Sequence, residues 1–312
     1  MNLDQSNLQK LVDDAHARHS KTSGGANASY IPYLAQVPSH LAGVAIVTVD
    51  GKVAFAGDAD YPFAIESISK VCTLAAAIDQ VGSASLRHKI GADPTGLPFN
   101  SVIALELHKG KPLSPLVNAG AMATVSLLQA KDTEARWQAI VDIQSALVGS
   151  PVKLSDDVNR SEQDTNFHNR GIAWLLYAAN AMYCDPMEAC DVYTRQCSTL
   201  VTATQLATMA ATLAGRGHNP VTGKQVVKAE HVRHILAEMT MEGLYEHSGD
   251  WAYNVGLPGK SGVGGGLLAV VPGVMGIAAF SPPLDVAGNS VRGQLMVADI
   301  ARAVGANIYD KQ

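Results

Sequence analysis

Apolar positions along this chain change period twice, and the changes divide it into three stretches. Near the start Leu8, Leu11, Val12 and Ala15 recur at helical spacing with Asp and His between them, which predicts an amphipathic helix. Residues 20–28, rich in Gly and Ser, read as a flexible connection. The apolar runs 43–49 and 52–56 flank Asp50-Gly51, a pair suited to a turn with positive φ at both central positions, so an antiparallel hairpin is predicted there. From Ser67 to about Met241 the pattern becomes mainly helical, with helices predicted over 118–129, 169–183, 187–198, 202–214 and 229–242. Thr202-Ala-Thr-Gln205 is a capping box, and Gly215 with Gly217 supplies the stop. Strand character returns at 251–255, then at 267–271 and 275–280, the last two joined by Pro272-Gly273. Asn289 or Ser290 is predicted to cap a final helix with Val291, Leu295, Ala298 and Val304 on its inner side.

Strands at both ends of the chain with helices between them predict an α+β fold. One antiparallel sheet is built from both ends, with terminal helices across it and a helical lobe inserted. The chain is read as a single domain, 1–312, whose sheet lobe is 1–66 and 244–312 and whose helical lobe is 67–243. With 47% hydrophobic and 16% charged residues, 312 residues suffice for a large core. A net charge of −5 without a run of Lys or Arg leaves no footprint for nucleic acid or an acidic membrane. The cysteines Cys72, Cys184, Cys190 and Cys197 lack Cys-x-x-Cys spacing and fit a reduced compartment. No basic segment followed by an apolar one opens the chain, and no uninterrupted 18-residue apolar run occurs, so a cytoplasmic location is expected. His16/His19 and His231/His234 have i, i+3 spacing but no third ligand in an obvious place, and are read as surface histidines.

The chemistry-bearing stretch is Phe63-Ala-Ile-Glu-Ser67-Ile-Ser-Lys70-Val-Cys-Thr-Leu-Ala-Ala-Ala-Ile78. A helix beginning near Ser67 puts Ser67 and Lys70 on one face, and its first turn offers N–H donors to an oxyanion formed on a carbonyl attacked by Ser67. Lys70 serves as the base only if neutral, and the apolar run beside it is the desolvating environment that lowers a lysine pKa. Taken alone, the pair is more plainly read as a helix cap and a solvated lysine. Ser-x-x-Lys recurs at Ser150-Pro-Val-Lys153, where the polar Leu-Ser-Asp-Asp continuation supplies no desolvation.

The second loaded stretch is Leu257-Pro-Gly-Lys260-Ser261-Gly262-Val263-Gly-Gly-Gly266. It is not a phosphate loop, because Asn254 stands where the first glycine belongs and a strand follows where a helix must. Nor is it a hydrolase elbow, since Val263 replaces the second glycine. Lys-Ser-Gly remains, and by itself it is also a glycine-rich turn before an edge strand.

Ser67-x-x-Lys70 at a buried helix head followed by Lys260-Ser261-Gly262 on a late strand resembles the serine β-lactamase and penicillin-binding-protein architecture. The Ser-x-Asn motif of β-lactamases is absent from the chain. The remaining motifs resemble the serine-dependent glutaminases within that architecture. They include Ala28-Ser-Tyr30-Ile-Pro, Glu66-Ser67-Ile-Ser-Lys70-Val, Pro98-Phe-Asn-Ser101, Val117-Asn118-Ala-Gly-Ala and Ser161-Glu162 to Asn169. Tyr193-Thr-Arg-Gln-Cys197-Ser, Glu242-Gly-Leu-Tyr245, Val255 to Val263 and Ser281-Pro-Pro-Leu-Asp285 continue the series. The resemblance spans nearly the whole chain and is greatest to the bacterial single-domain form, without ankyrin repeats.

That resemblance implies hydrolysis of L-glutamine to L-glutamate and ammonia through an acyl-enzyme, with no cofactor and no metal. Ser67 is then the nucleophile and Lys70 its base, Tyr245 relays a proton to the leaving ammonia, and Lys260 supplies positive charge that keeps Lys70 neutral. The N–H groups of Ser67 and Val263 form the oxyanion hole. Asn118, Glu162, Asn169 and Tyr193 contact substrate, Tyr30 belongs to the pocket, and Glu162 suits the ammonium. Ser161-x-x-Asp164 is read as a capping box whose helix carries Glu162 and Asn169 on one face. Helix-end decoration is the plainer reading of those two residues from spacing alone. A glutamine head group clamped by Glu162 would keep the shorter asparagine amide out of reach of Ser67, so glutamine is expected to be strongly preferred. Self-association as a dimer or tetramer is implied as well. Two alternatives stand beside this reading: a β-lactamase-like or D-alanyl peptidase-like acyl hydrolase, and a non-catalytic glutamine or glutamate sensor.

Overall fold

Two hairpins from opposite ends of the chain meet edge to edge in the computed structural model, which describes residues 3–310. Gly43–Thr48 pairs with Val53–Gly57 in the register Val47 to Val53, so the predicted hairpin forms, but Val49 and Asp50 are the central turn residues and only Gly51, which follows them, has positive φ (88°), not Asp50 and Gly51 together. On its other side Gly43–Thr48 pairs with Met275–Phe280, which continues to Gly266–Val271 and Gly259–Ser261. The result is a five-stranded sheet, antiparallel at every junction. Its three central strands are buried at every position because both faces are covered. Helices Gln5–His19 and Val291–Ala303 pack on one face, where Val44, Ile46, Ile277 and Ala279 meet Leu8, Val12, Met296 and Ile300. Helix Ala203–Ala214 lies across the other, against Ala45, Val47, Ala278 and Phe280.

That second contact is unusually close. A Cβ on Gly276 would stand 2.3 Å from Ala207 O and 2.4 Å from Ala211 N, so the strand meets helix backbone directly. The alanines of Ala203–Ala214 permit it, and the Thr202/Gln205 capping box sets where that helix starts.

Helix Ser69–Val81 runs through the middle of the helical region, buried at all of its first seven positions and again at Ala77 and Ile78. It touches helices Asn118–Leu127, Thr133–Val148 and Ala229–Glu242, which explains why its sequence is apolar on every side. A second, three-stranded sheet of Phe63–Ala64, Thr199–Val201 and Lys153–Leu154 anchors the approach to that helix.

Four further local expectations differ from the structure. Residues 251–255 are not a strand: Ser248–Asn254 is a short helix that buries Ser248 and Trp251, three apart, while Tyr253 is 87% exposed. The aromatic alternation there had no neighbouring strand to pair with, and Trp251 Nε1 instead donates to Leu257 O at 2.8 Å. Ser161 does not cap a helix. Helix Asp156–Thr165 starts earlier, capped by Ser155, and Asn169 belongs to the next helix, Phe167–Ala178. In the last helix the buried side is Met296, Val297, Ile300 and Ala301, whereas Leu295 is 38% exposed, because the sheet selects the neighbouring stripe. Residues 20–28 are not a free connection, since Ala26 exchanges backbone hydrogen bonds with Leu284.

The four cysteines are unpaired thiols. His16 contacts Ala42 O, His19 contacts Asp299 and His231 lies near Asp79. Among the described residues, no helix is long and apolar enough to cross a membrane.

Candidate active site

The chain reaches Ser67 through a turn held from both sides. Phe63–Ala64 pairs with Thr199–Val201, and the Ile65 N–H donates to Thr199 O at 2.9 Å. Glu66 then adopts φ 51°, a left-handed backbone that costs a non-glycine residue roughly 1–3 kcal/mol. One 3-10 turn, Glu66–Ile68, leads into helix Ser69–Val81, and Ser69 Oγ secures it by donating to Glu66 O at 2.6 Å. Ser67 therefore sits at the head of the buried helix, with only 6% of its surface exposed.

Lys70 lies one turn on and is fully enclosed. Its Nζ donates to Asn118 Oδ1 at 2.7 Å and to Leu116 O at 3.3 Å, and stands 5.8 Å from the ring centroids of Phe99 and Tyr193. Burial pushes its pKa down to about 8, against the opposing pull of Cys197, Glu66, Glu242 and Glu162. Lys260, on strand Gly259–Ser261, is equally buried and donates to Ser261 O at 2.6 Å and Gly243 O at 3.0 Å. Burial holds its pKa well below the usual lysine range, and the Lys70 charge lowers it further. Desolvation is the leading cause for both lysines, and their mutual repulsion disfavours charging both at once.

Tyr245 closes the space between them. It too has a left-handed backbone, φ 56°, and its ring lies 4.6 Å from that of Phe99 and 4.5 Å from Lys260 Nζ. Its hydroxyl donates to Ser261 O at 3.1 Å and lies beside the Ser67 hydroxyl. Burial keeps its pKa well above the usual phenol value, so this side chain holds its proton at neutral pH.

Three glycines bring Val263 to the same place. A Cβ at Gly262 would stand 2.8 Å from Ile65 O, one at Gly264 2.4 Å from Ala64 O, and one at Gly266 2.7 Å from Phe63. Without side chains there, the turn after Ser261 lies flat against residues 63–66. Val263 and Ser67 consequently line one cavity of about 110 Å³.

The same cavity is lined by Tyr30, Asn118, Glu162, Asn169 and Tyr193, so every residue expected to contact substrate either borders it or, as Tyr245, lies directly behind Ser67. Glu162 and Asn169 arrive from two successive helices rather than one. Asn118 links the polar groups: its Oδ1 accepts from Lys70 and from the Tyr193 hydroxyl at 3.0 Å, and its Nδ2 donates to Asn169 Oδ1 at 3.0 Å. Tyr30 exposes its ring while burial and the charges of Glu66 and Glu162 raise the pKa of its hydroxyl. Tyr30, Phe99 and Val263 also border a wider hollow of about 630 Å³ between residues 25–30 and 284–288.

Glu66, Phe99 and Glu242 belong to this site although spacing gave them no role. Glu66 is 4% exposed and borders the cavity beside Glu162. Phe99 packs against Tyr245 with the rings tilted by 40°, and Glu242, lifted to about 7 by burial, accepts from the Thr95 N–H at 3.0 Å near both lysines. The one available signal was a lone carboxylate inside the otherwise apolar approach to Ser67.

The family model for Glutaminase matches residues 25–309. The glutaminase of Bordetella avium (strain 197N) is 72% identical over 311 residues, spanning 100% of both chains. Among solved structures, the probable glutaminase YbaS superposes with a TM-score of 0.98 at 67% identity, covering 99% of this chain and 100% of its own. The covalent complex between the Bacillus subtilis glutaminase YbgJ and 5-oxo-L-norleucine, formed by reaction with 6-diazo-5-oxo-L-norleucine, has a TM-score of 0.86 at 28% identity and covers 98% and 99%.

Proposed function

This chain belongs to the Glutaminase family, and from that premise we propose how its cavity carries out the reaction. The protein is a glutaminase, an amidohydrolase of β-lactamase-like fold. Ser67 Oγ attacks the side-chain carbonyl of L-glutamine while its proton passes to Lys70. Of the two groups beside Ser67, Tyr245 is held protonated by burial, so Lys70, at about 8, is the better acceptor. The N–H groups of Ser67 and Val263 receive the oxyanion, and no backbone acceptor among the described residues takes the Val263 N–H. When the tetrahedral intermediate collapses, the C–N bond breaks and ammonia leaves with a proton delivered by way of the Tyr245 hydroxyl. Water then attacks the Ser67 ester and releases L-glutamate.

Glu162 supplies the negative charge for the substrate ammonium, and the amides of Asn118 and Asn169 with the Tyr193 hydroxyl face its carboxylate. The observation that carries this reading is the fully buried Lys70 Nζ, 2.7 Å from Asn118 Oδ1, behind a cavity that has Ser67 and Glu162 in its lining. Ammonia release from L-glutamine, measured beside Ser67→Ala, tests it. Release by the wild type and loss in the variant are expected; activity surviving in Ser67→Ala would remove Ser67 from the mechanism.

Self-association belongs to the same reading. Ile103 and Leu107 on helix Val102–Leu107 and Phe167 and Trp174 on helix Phe167–Ala178 present large exposed apolar side chains on two helices in mutual contact. Sedimentation of wild type against Trp174→Asp tests a second copy there, with a dimer or tetramer expected only for the wild type. The unpaired thiols favour a cytoplasmic setting.

A further inference from the structure

Glu66 has a built place in the cavity. Its stem occupies the space left by Gly262 and Gly264, where added Cβ atoms would meet its Cβ at 3.3 Å and its Cγ at 3.2 Å. Its carboxyl and that of Glu162 line one small cavity, close enough that each shifts the titration of the other. Two carboxyl groups bond to each other only when one holds a proton. Each leaves its Oε1 buried with no hydrogen-bond partner, and both side chains border the cavity that holds Ser67. The titratable groups facing the pair are Lys70 on the catalytic helix, Tyr30 before helix Pro32–Ala35, Tyr193 and Cys197 on helix Pro186–Cys197, and Tyr245. Lys70 is the only one of these that can be cationic.

We propose that Glu66 and Glu162 share one proton and one negative charge, and that Glu66 is the positioning residue that aims the Glu162 carboxylate at the substrate ammonium. This rests on the reading of the cavity as the glutamine site. Glu66 donates to Glu162, fixing which oxygen faces the ligand. The single charge matches a single ammonium, whereas a second charge, one residue from Ser67, would oppose the oxyanion. Desolvation and the Glu162 charge both hold the Glu66 carboxyl protonated well above the ordinary carboxylate range. As pH rises past that point the donor is lost, Glu162 is repelled, and KM for L-glutamine increases.

KM and kcat across a range from mildly acid to alkaline pH, for wild type, Glu66→Gln, Glu162→Gln and the double variant, test the pair. An amide at Glu66 still donates to Glu162 but cannot ionise. Glu66→Gln is expected to keep KM within about threefold of wild type where the pair holds its proton, and to lack the alkaline rise in KM. In Glu162→Gln the charge passes to Glu66, so KM falls as pH rises, opposite in sign to wild type. The double variant has no charge left and is expected to lose about a hundredfold beyond either single change. Coinciding KM profiles for wild type and Glu66→Gln overturn the proposal, as does a Glu162→Gln variant as defective as the double. Should Glu66→Gln fail to fold by circular dichroism, Glu162→Gln decides alone, and a KM independent of pH overturns the shared charge. No ammonia from the wild type would instead sink the glutamine site itself.

Discussion

Lys70 Nζ and Asn118 Oδ1 lie 2.7 Å apart, and that contact accounts for one of the two N–H bonds a neutral amine can donate. Leu116 O takes the other at 3.3 Å, so the remaining lone pair is free for a proton from Ser67. The arrangement suits a deprotonated lysine, the form favoured by burial.

Replacing Asn118 by Asp places a carboxylate on that nitrogen and favours the ammonium. The Lys70 pKa, at about 8 in the wild type, is expected to rise by roughly 1–3 units. The ascending limb of kcat/KM against pH, which requires neutral Lys70, then moves to higher pH by the same amount. An unshifted limb would exclude Lys70 as its source.

Tyr245→Phe removes one hydroxyl but keeps the ring on Phe99. Ser261 O still accepts from Lys260, so the fold retains that bond. A loss of about 10²–10⁴-fold in kcat is expected with an almost unchanged melting temperature, because proton delivery to ammonia is what disappears. Equal kcat values for variant and wild type would assign the relay elsewhere.

Glu238 is buried and accepts from Ser114 Oγ at 3.0 Å, with its pKa raised to about 8, burial being the main cause. Between the unfolded value near 4.5 and 8 the folded state keeps a proton that the unfolded chain releases. Its contribution to stability is present at low pH, declines as pH rises through that window, and levels off above 8. Glu238→Gln retains an acceptor for Ser114 and cannot ionise. It is expected to stabilise the protein by about 2–4 kcal/mol at alkaline pH and hardly at all near pH 5, read by denaturant unfolding at both. An equal effect at both pH values would show that Glu238 does not titrate in this window.

Gly276→Ala tests the close contact between the sheet and helix Ala203–Ala214. Its methyl group would meet backbone atoms of Ala207 and Ala211, which cannot swing aside as a side chain can. A destabilisation of about 1–3 kcal/mol is expected from thermal or denaturant unfolding, with KM for glutamine little changed. A neutral substitution would mean that helix Ala203–Ala214 shifts off the sheet without cost.

Local patterning was readable wherever the deciding interactions lie within a few residues. The Asp50-Gly51 hairpin, the Thr202/Gln205 capping box and helix Ala229–Glu242 follow from turn chemistry, reciprocal cap bonds and the 3.6-residue period. Ser67 and Lys70 were legible for the same reason, being one helical turn apart in an apolar run. Where two local patterns competed, at 251–255, at Ser161 and along the last helix, the choice went to whichever side chains found a distant surface to cover.

What only the tertiary structure decided is the set of charges and contacts that make the Ser67 cavity. No spacing rule relates Glu66 to Glu162, Lys70 to Asn118 or Gly264 to Ala64, because each pair meets only after separate elements pack. Sequence alone placed Ser67 and Lys70 at one helix head and brought the two ends of the chain into one sheet, since periodicity records local geometry. Burial, which sets the protonation of Lys70, Lys260, Glu66 and Tyr245, is a property of everything packed around a group, and the folded chain alone determines it.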